Sequence, residues 1–311
     1  MPGKPKSSIT KVTGSGSSPA GEVAAGPSRV AVRKTYKLYI GGAFPRSESG
    51  RSYPVTGSDG TLLAHAAQAS RKDVRDAVVA ARKAFPGWSG ATAYNRGQVL
   101  YRIAEMMEGR REQFAAEVRA AEGGSPEQAS AQVDAAIDRW VWYAGWTDKW
   151  AQVAGGSNPV AGPYFNFSLP EASGVVGIVA PPESSLLGFV SVVAPAVATG
   201  NTVVVIAAPQ RPLPAVSLAE ALATSDLPGG VINLLTGSVG ELAPWLAGHR
   251  DVNCLDLTGV APADRVALAV AAADTVKRVF APTGFDPAAE PGTARLAAFT
   301  ETKTVWHPMG V

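Results

Sequence analysis

Between residues 174 and 280, short apolar segments alternate with longer segments whose apolar residues have helical spacing. The predicted strands are 175–180, 202–206, 231–235, 253–258 and 277–280, and the predicted helices between them are 185–199, 213–224, 241–247 and 262–273. Such βαβ alternation predicts an α/β fold with a doubly wound, Rossmann-like parallel sheet that carries helices on both faces. In sheets of this kind, ligands bind beyond the carboxyl ends of the strands.

The region before this alternation predicts N-terminal helices. Ser70 and Asp73 have the spacing of a capping box that opens the first helix, which the pair Pro86-Gly87 is expected to end. The other predicted elements are strands at 36–42 and 52–55 and helices over 94–122 and from 126 to about 153.

Two further segments with β-favouring composition flank the alternating region. Tyr164–Leu169 predicts a strand, which we expect to pair with the strand at Val175–Ala180. Residues 281–294 lack any pattern and are rich in Pro, Gly, Thr and Ala, whereas Leu296–Trp306 alternates as a strand does. A lone terminal strand is unstable, so this last segment needs a partner sheet.

Composition excludes several classes of protein. The 311 residues carry a net charge of +2, which gives no reason to expect a nucleic acid as partner, and residues 1–34 predict a disordered basic tail. Neither an apolar run of about 18 residues nor a secretory leader is present, so we expect a cytoplasmic protein without a membrane partner. The only cysteine, Cys254, excludes a disulfide framework, and three scattered histidines predict no metal site.

The tryptophans of the third predicted helix form a stripe. At about 100° per residue, Trp142, Trp146 and Trp150 share one face, and Trp140 lies at its far margin. A stripe of this kind is more often ordinary core, and a helix buried against another subunit is the alternative.

Several different short motifs are spread over most of the chain. They are Tyr39–Gly42, Tyr143–Lys149, Gly174–Val179, Ala194–Val204, Leu227–Asn233, Thr236-Gly237, Asp251-Val252, Thr258-Gly259 and Thr302–Val305. In this order they resemble the aldehyde dehydrogenase superfamily. The resemblance implies NAD(P)-dependent oxidation of an aldehyde, with a Cys nucleophile, an Asn that stabilises the oxyanion and a Glu that activates water. It also implies a dimer or tetramer, joined partly through a small β segment.

The chain departs from the family's pattern at the residues that perform catalysis. Residues 281–295 alone bridge the place where the family's catalytic domain lies, so the nucleophile motif and the motif with the general base are missing. Glu183 replaces the oxyanion Asn, and its negative charge would oppose an oxyanion. Cys254 lies on a predicted strand well before the nucleophile position, where a buried structural thiol is expected.

Cofactor binding is weakened as well. The family's Lys and Glu that hold the adenosine ribose correspond to Ile206 and Pro209. The phosphate-contacting Gly-Ser corresponds to Gly259-Val260, and Asp264 stands where the family has a second Gly. We therefore expect no bound cofactor, or NAD or NADP only weakly, through a degenerate set of residues: Gly237, Gly259 and Val260.

These observations predict a four-part organisation and a non-catalytic function. The parts are the tail 1–34, an NAD(P)-binding-type domain 35–280 with an oligomerisation hairpin near 160–172, a linker 281–295 and an oligomerisation strand 296–311. The predicted function is that of a pseudoenzyme, a structural or regulatory subunit bound to a full-length aldehyde dehydrogenase. The alternatives are an oxidoreductase with residues supplied by a partner, and a nucleotide or metabolite sensor. The predicted interface residues are Tyr164, Phe165, Phe167, Lys303, Val305 and Trp306.

Overall fold

The computed structural model of the chain describes residue 3 and residues 32–310. Almost all of the predicted tail, residues 1–34, lies outside this part of the chain. From Arg33 onward the chain forms one compact unit. Among the described residues no helix is both long and apolar enough to cross a membrane, and no group of His, Cys, Asp and Glu could hold a metal ion.

The described residues form eleven strands and ten helices. The strands are β1 (Thr35–Tyr36), β2 (Ser52–Thr56), β3 (Leu62–Ala67), β4 (Gly156–Ser157), β5 (Tyr164–Ala172), β6 (Val175–Val179), β7 (Thr202–Ile206), β8 (Ile232–Leu235), β9 (Cys254–Asp256), β10 (Arg278–Phe280) and β11 (Thr300–Pro308). The helices are α1 (Arg71–Gly90), α2 (Ala93–Glu108), α3 (Arg111–Glu122), α4 (Pro126–Ala144), α5 (Trp150–Ala154), α6 (Leu187–Ala198), α7 (Leu213–Leu222), α8 (Val239–Gly248), α9 (Pro262–Ala273) and α10 (Ala294–Ala298).

The central sheet is parallel and has the order β10-β9-β6-β7-β8. Alternate side chains of a strand face opposite layers, as in β7: Val203 and Val205 pack with α2, α4, α6 and α7, while Val204 and Ile206 pack with α1, α8 and α9. Both faces are therefore buried, which explains the apolar strands. The predicted doubly wound fold is confirmed.

The order of the strands also locates a crevice. From β6 the chain moves outward to β7 and β8, and it then returns to β9 and β10 on the other side of β6. The direction of winding thus reverses between β6 and β9. At such a switch point the loops that follow the two strands diverge and leave an opening at the carboxyl edge of the sheet.

A second, antiparallel sheet has the order β11-β5-β4. The pairing of β11 with β5 runs from Thr300 opposite Ala172 to Pro308 opposite Tyr164. The predicted pairing of Tyr164–Leu169 with Val175–Ala180 is therefore wrong, because β7 and β9 occupy both edges of β6. The terminal strand has the partner that the sequence required.

Several predicted boundaries in the helical region are wrong. Helix α1 continues through Pro86 to Gly90, since proline near the end of a helix disturbs few backbone hydrogen bonds. The predicted helix 94–122 is two helices, because Arg110 leaves the helical conformation with φ −122° and ψ 17°. The third helix ends at Ala144, before the separate α5. The predicted strands 36–42 and 296–306 are too long at one end: β1 ends at Tyr36, and β11 begins only at Thr300 because residues 294–298 form α10. Strands β3 and β4 were not predicted.

The tryptophans are arranged differently from the predicted stripe. Trp140 is fully buried, together with Val133, Ile137 and Tyr143 on the face of α4 that meets the core. Trp142, Trp146 and Trp150 are only partly buried and pack at the edge of that cluster. The expectation that Trp140 is marginal is wrong, because the contacts of α4 with α2, α3 and α6 determine which face is buried.

Candidate functional site

A cleft of about 600 Å³ opens at the carboxyl edge of the central sheet. Loops that follow four parallel strands line it, and β2 and β3 close one side. The lining residues are Tyr53, Pro54, Thr56, Gln68, Ala180, Pro182, Pro209, Gln210, Gly237, Ser238, Val239, Gly259, Ala261 and Asp264. Two of the predicted cofactor residues, Gly237 and Gly259, are thus brought together in one site.

The loop after β9 supplies Gly259 and Val260. The backbone N–H of Gly259 donates to the carbonyl of Val179 at 3.0 Å, and that of Val260 donates to Leu257 at 3.0 Å. A side chain at position 259 would collide with the carbonyl of Ala180, so glycine permits close approach of the β6 and β9 loops. The side chain of Val260 is buried in the cluster beneath α8 and α9. Neither amide is therefore free to bind a phosphate.

The loop after β8 supplies Gly237. Its φ of +139° is a conformation that residues with a side chain rarely adopt. The preceding Thr236 accepts a backbone hydrogen bond from Ala69, and a Cβ at position 237 would lie 3.2 Å from the Ala69 nitrogen. Gly237 thus joins the central sheet to the segment before α1, and its conformation has a structural cause independent of any ligand.

The loop after β7 carries no side chain suited to a ribose. Ile206 is fully buried and faces the apolar cluster that contains α1 and α8, while Pro209 and Gln210 line the cleft. The cleft-lining residues of this loop therefore offer one amide side chain and no charge. Arg211 of the same loop does not line the cleft and donates to the carbonyl of Glu183 at 3.3 Å.

The charges around the cleft are unfavourable for phosphates. None of its lining residues is Lys, Arg or His, and Asp264 in the first turn of α9 is the one carboxylate among them. Two phosphates would bring two negative charges toward Asp264 without a basic side chain from the cleft lining to compensate them.

Tyr53 lines the cleft and carries a buried hydroxyl in the cleft wall, which the sequence did not predict. Its hydroxyl has no hydrogen-bond partner with good geometry among the described residues, and burial raises the pKa of Tyr53, so the hydroxyl stays protonated. Gln68 reaches the same cleft, and its amide donates to Glu241 at 3.4 Å. No local pattern marks these two residues, because strands β2 and β3 meet the cleft only in the folded chain.

The loop after β6 leaves the carboxylate of Glu183 exposed to solvent. Glu183 is exposed, and within the described part of the chain its carboxylate makes no hydrogen bond. The loop itself is fixed by Glu122, which accepts hydrogen bonds from the backbone and the hydroxyl of Ser185 at 2.6 and 2.5 Å. No thiol or histidine lines the cleft. Cys254 is buried in β9, where burial raises the pKa of its thiol to about 11.

The predicted interface residues lie together on the β5–β11 pair. Phe165 and Phe167 share one face with Val305 and the exposed Lys303, while Tyr164 and Trp306 lie on the opposite face with ring centroids 5.7 Å apart. Phe165 is 47% exposed and Trp306 is 58% exposed. We call these six residues, with Leu169, the β5–β11 surface. Among the described residues β11 pairs with β5 alone, so its other edge is free.

The family model described as the aldehyde dehydrogenase family matches residues 45–286. The chain belongs to the aldehyde dehydrogenase family. The matched region contains the whole central sheet and the cleft at its carboxyl edge. The resemblance predicted from the motifs is thereby confirmed.

Similar proteins are about twice as long as the matched region. Aldehyde dehydrogenase family 2 member B4, mitochondrial, of Arabidopsis thaliana is 36% identical over 85% of this chain and 49% of its own length. The benzaldehyde dehydrogenase, mitochondrial, of Antirrhinum majus is 34% identical over 78% and 46%. An NAD+ complex of the aldehyde dehydrogenase from Bacillus cereus has a TM-score of 0.74, with 26% identity over 79% of this chain and 50% of that one. The chain spans about half the length of the relatives it matches, and that half is the part with the NAD(P)-binding fold.

Proposed function

We propose that this chain is a non-catalytic aldehyde dehydrogenase family protein that acts as a structural or regulatory subunit of a full-length aldehyde dehydrogenase. In this proposal residues 35–280 form the NAD(P)-binding-type domain, residues 281–295 are the linker in place of the catalytic domain, and the segment 296–311 supplies the oligomerisation strand, which is β11 (Thr300–Pro308). The observation that carries the proposal is the β5–β11 surface, with aromatic residues exposed on both faces and one free strand edge.

Such a surface is typical of a protein interface. Aromatic residues are enriched in interface cores, and an unpaired strand edge presents backbone donors and acceptors that another strand can satisfy. The β5–β11 pair is nine residues long, enough to present several side chains on each face. A full-length relative is the partner we favour because the assembly segments are retained in a chain that lacks the catalytic motifs.

The residues of the cleft do not fit a dinucleotide. The amides of Gly259 and Val260 are already bonded, the lining lacks a basic side chain, and Asp264 repels phosphate. We expect neither NAD nor NADP to change the melting temperature at 1 mM or to give heat in a calorimetric titration. Binding in the micromolar range would contradict this expectation and favour the alternative of an oxidoreductase completed by a partner.

Affinity purification of the tagged chain from its own host tests the proposed assembly. We expect a hetero-oligomer whose second component is identified as a full-length aldehyde dehydrogenase. The variants Phe165→Lys and Trp306→Lys should abolish it, because a charge would be buried in the interface. Tyr94→Lys is the matched control, since Tyr94 is 70% exposed but lies on α2. A lone monomer or a homo-oligomer would overturn the proposal.

The cleft supports a second candidate, a metabolite sensor. Tyr53 lines the cleft with its hydroxyl buried in the wall and without a partner of good geometry, and together with the amide of Gln210 it favours an uncharged ligand. A thermal-shift screen of uncharged metabolites, with Tyr53→Phe as control, separates this candidate from the first. A hit that Tyr53→Phe weakens, obtained with a chain that has no aldehyde dehydrogenase partner, would favour the sensor.

A further inference from the structure

The segment between β10 and β11, residues 281–299, crosses the body of the molecule; we call it the strap. Although most of its side chains from 281 to 294 are exposed, Leu296 and Phe299 in and after α10 are buried in the main core. The carbonyl of Phe299 accepts a hydrogen bond from Asn201 at 2.8 Å. The strap is therefore bound at its carboxyl end, next to the first residue of β11.

One buried charge of the body has its charged partner on the strap. Asp256, at the carboxyl end of β9, is fully buried and forms an ion pair with Arg295 of α10. Arg295 also donates to the Thr258 hydroxyl at 2.9 Å and lies over the rings of Phe280 and Phe285. Burial raises the pKa of Asp256 because it penalises the carboxylate, and Arg295 and Thr258 oppose this effect.

A second buried charge also depends on the strap. Arg139 of α4 is 7% exposed and forms no ion pair with a carboxylate of residues 32–310. It donates to the carbonyls of Pro287 and Ala289 at 2.9 and 2.6 Å, and to the hydroxyl of Ser191 on α6. Tyr143, one turn further along α4, donates to the carbonyl of Gly292 at 3.2 Å. Without the strap, an anion and a cation would each be buried without their main partners, which is costly.

We infer that the strap is a built-in latch, in which Asp256 and Arg139 hold residues 281–299 on the body and so fix the start of β11 in register on β5. The consequence for assembly rests on the proposed function, because the β5–β11 surface exists only while β11 is held. Arg295 and Arg139 are thus positioning residues for an interface that neither of them touches.

Amide hydrogen exchange of the full chain tests the latch without any partner. We expect Arg295→Met to speed exchange over residues 294–308 about tenfold and to leave β7 protected, since only the strap opens. The melting temperature should fall by about 10 °C. Arg111→Met is the control: it removes another Arg–carboxylate pair, with Asp134, that joins α3 to α4 and includes no residue of the strap. Unchanged exchange over 294–308, or equal acceleration by the control, would overturn the inference.

A milder variant covers the case in which Arg295→Met does not fold. Arg295→Lys keeps the charge toward Asp256 but loses the second hydrogen bond to Thr258, and should give a smaller acceleration confined to the same residues. The double variant Asp256→Asn with Arg295→Met should be no less stable than the worse single variant, as coupled partners require. Additive losses would show that the two groups act independently and would contradict the latch.

Association with the full-length partner is measured separately. A latch variant that exchanges faster should bind about tenfold more weakly, although every residue of the β5–β11 surface is intact. Unchanged binding despite faster exchange would overturn the link to assembly. If the wild-type chain binds no aldehyde dehydrogenase, the proposed function fails, while the exchange result still decides the latch.

Discussion

At the residue scale, burial determines how reactive the single thiol is. Cys254 lies in the central sheet with 1% of its surface exposed, and burial raises the pKa of its thiol to about 11. At pH 8 only about one thiol in a thousand would be the reactive thiolate. We expect iodoacetamide to leave the folded chain unmodified over hours and to alkylate it quickly in 6 M guanidinium. Rapid modification of the folded chain, read by mass spectrometry, would show that the thiol is accessible.

Two tryptophans two positions apart in α4 should differ sharply in their effect on stability. Trp140 is fully buried, whereas Trp142 is only partly buried and lies against Trp146. We expect Trp140→Ala to lower the free energy of unfolding by about 3–5 kcal/mol, since it leaves a large cavity, and Trp142→Ala by less than half of that. Urea denaturation compares the two. Equal losses would mean that the helix face inferred from burial is wrong.

At the element scale, β11 is tied to the central sheet by the pair of Arg278 and Glu301, whose hydrogen bond lowers the pKa of Glu301. A lowered carboxyl pKa adds stability that is complete above the unfolded pKa of about 4.3 and is lost as the pH falls through the folded value. We therefore expect Glu301→Gln to be less stable than the wild type at pH 7, and we expect this deficit to be smaller at pH 3.

Urea midpoints at the two pH values measure this difference. Glu290→Gln is the control, because Glu290 is exposed and makes no ion pair among the described residues, and it should match the wild type at both. A deficit of Glu301→Gln that persists undiminished at pH 3 would assign the loss to something other than the ion pair.

The elements also show what local patterns can predict. The bounds of β7 and α9 agree with the alternation read from the sequence, because a strand buried on both faces and a helix with proline at its first position leave strong local signals. The break between α2 and α3 at Gly109-Arg110 was missed, since the apolar period continues across it. Whether residues 93–122 form one helix or two depends on how α2 and α3 each pack against α4.

At the scale of the whole molecule, we expect the central sheet to determine cooperative unfolding and the β5–β11 pair to determine association. The strands of the central sheet make no pairing with β11, and the core residue Phe299 precedes that strand. A chain that ends at Phe299 should therefore still unfold cooperatively, with a melting temperature lower by only a few degrees, but should not associate with a full-length partner. Circular dichroism and light scattering measure the two effects. Loss of cooperative unfolding would show that β11 is part of the main fold.

The sequence by itself determined the class of fold, the family and the loss of the catalytic motifs, because strand and helix periods and short motifs are properties of neighbouring residues. Only the tertiary structure decided that β5 pairs with β11 rather than β6, that the amides of Gly259 and Val260 are already bonded, and that Asp256 meets Arg295. Each of these contacts joins segments that are distant in the chain, and competition for a limited number of strand edges and buried partners settles them.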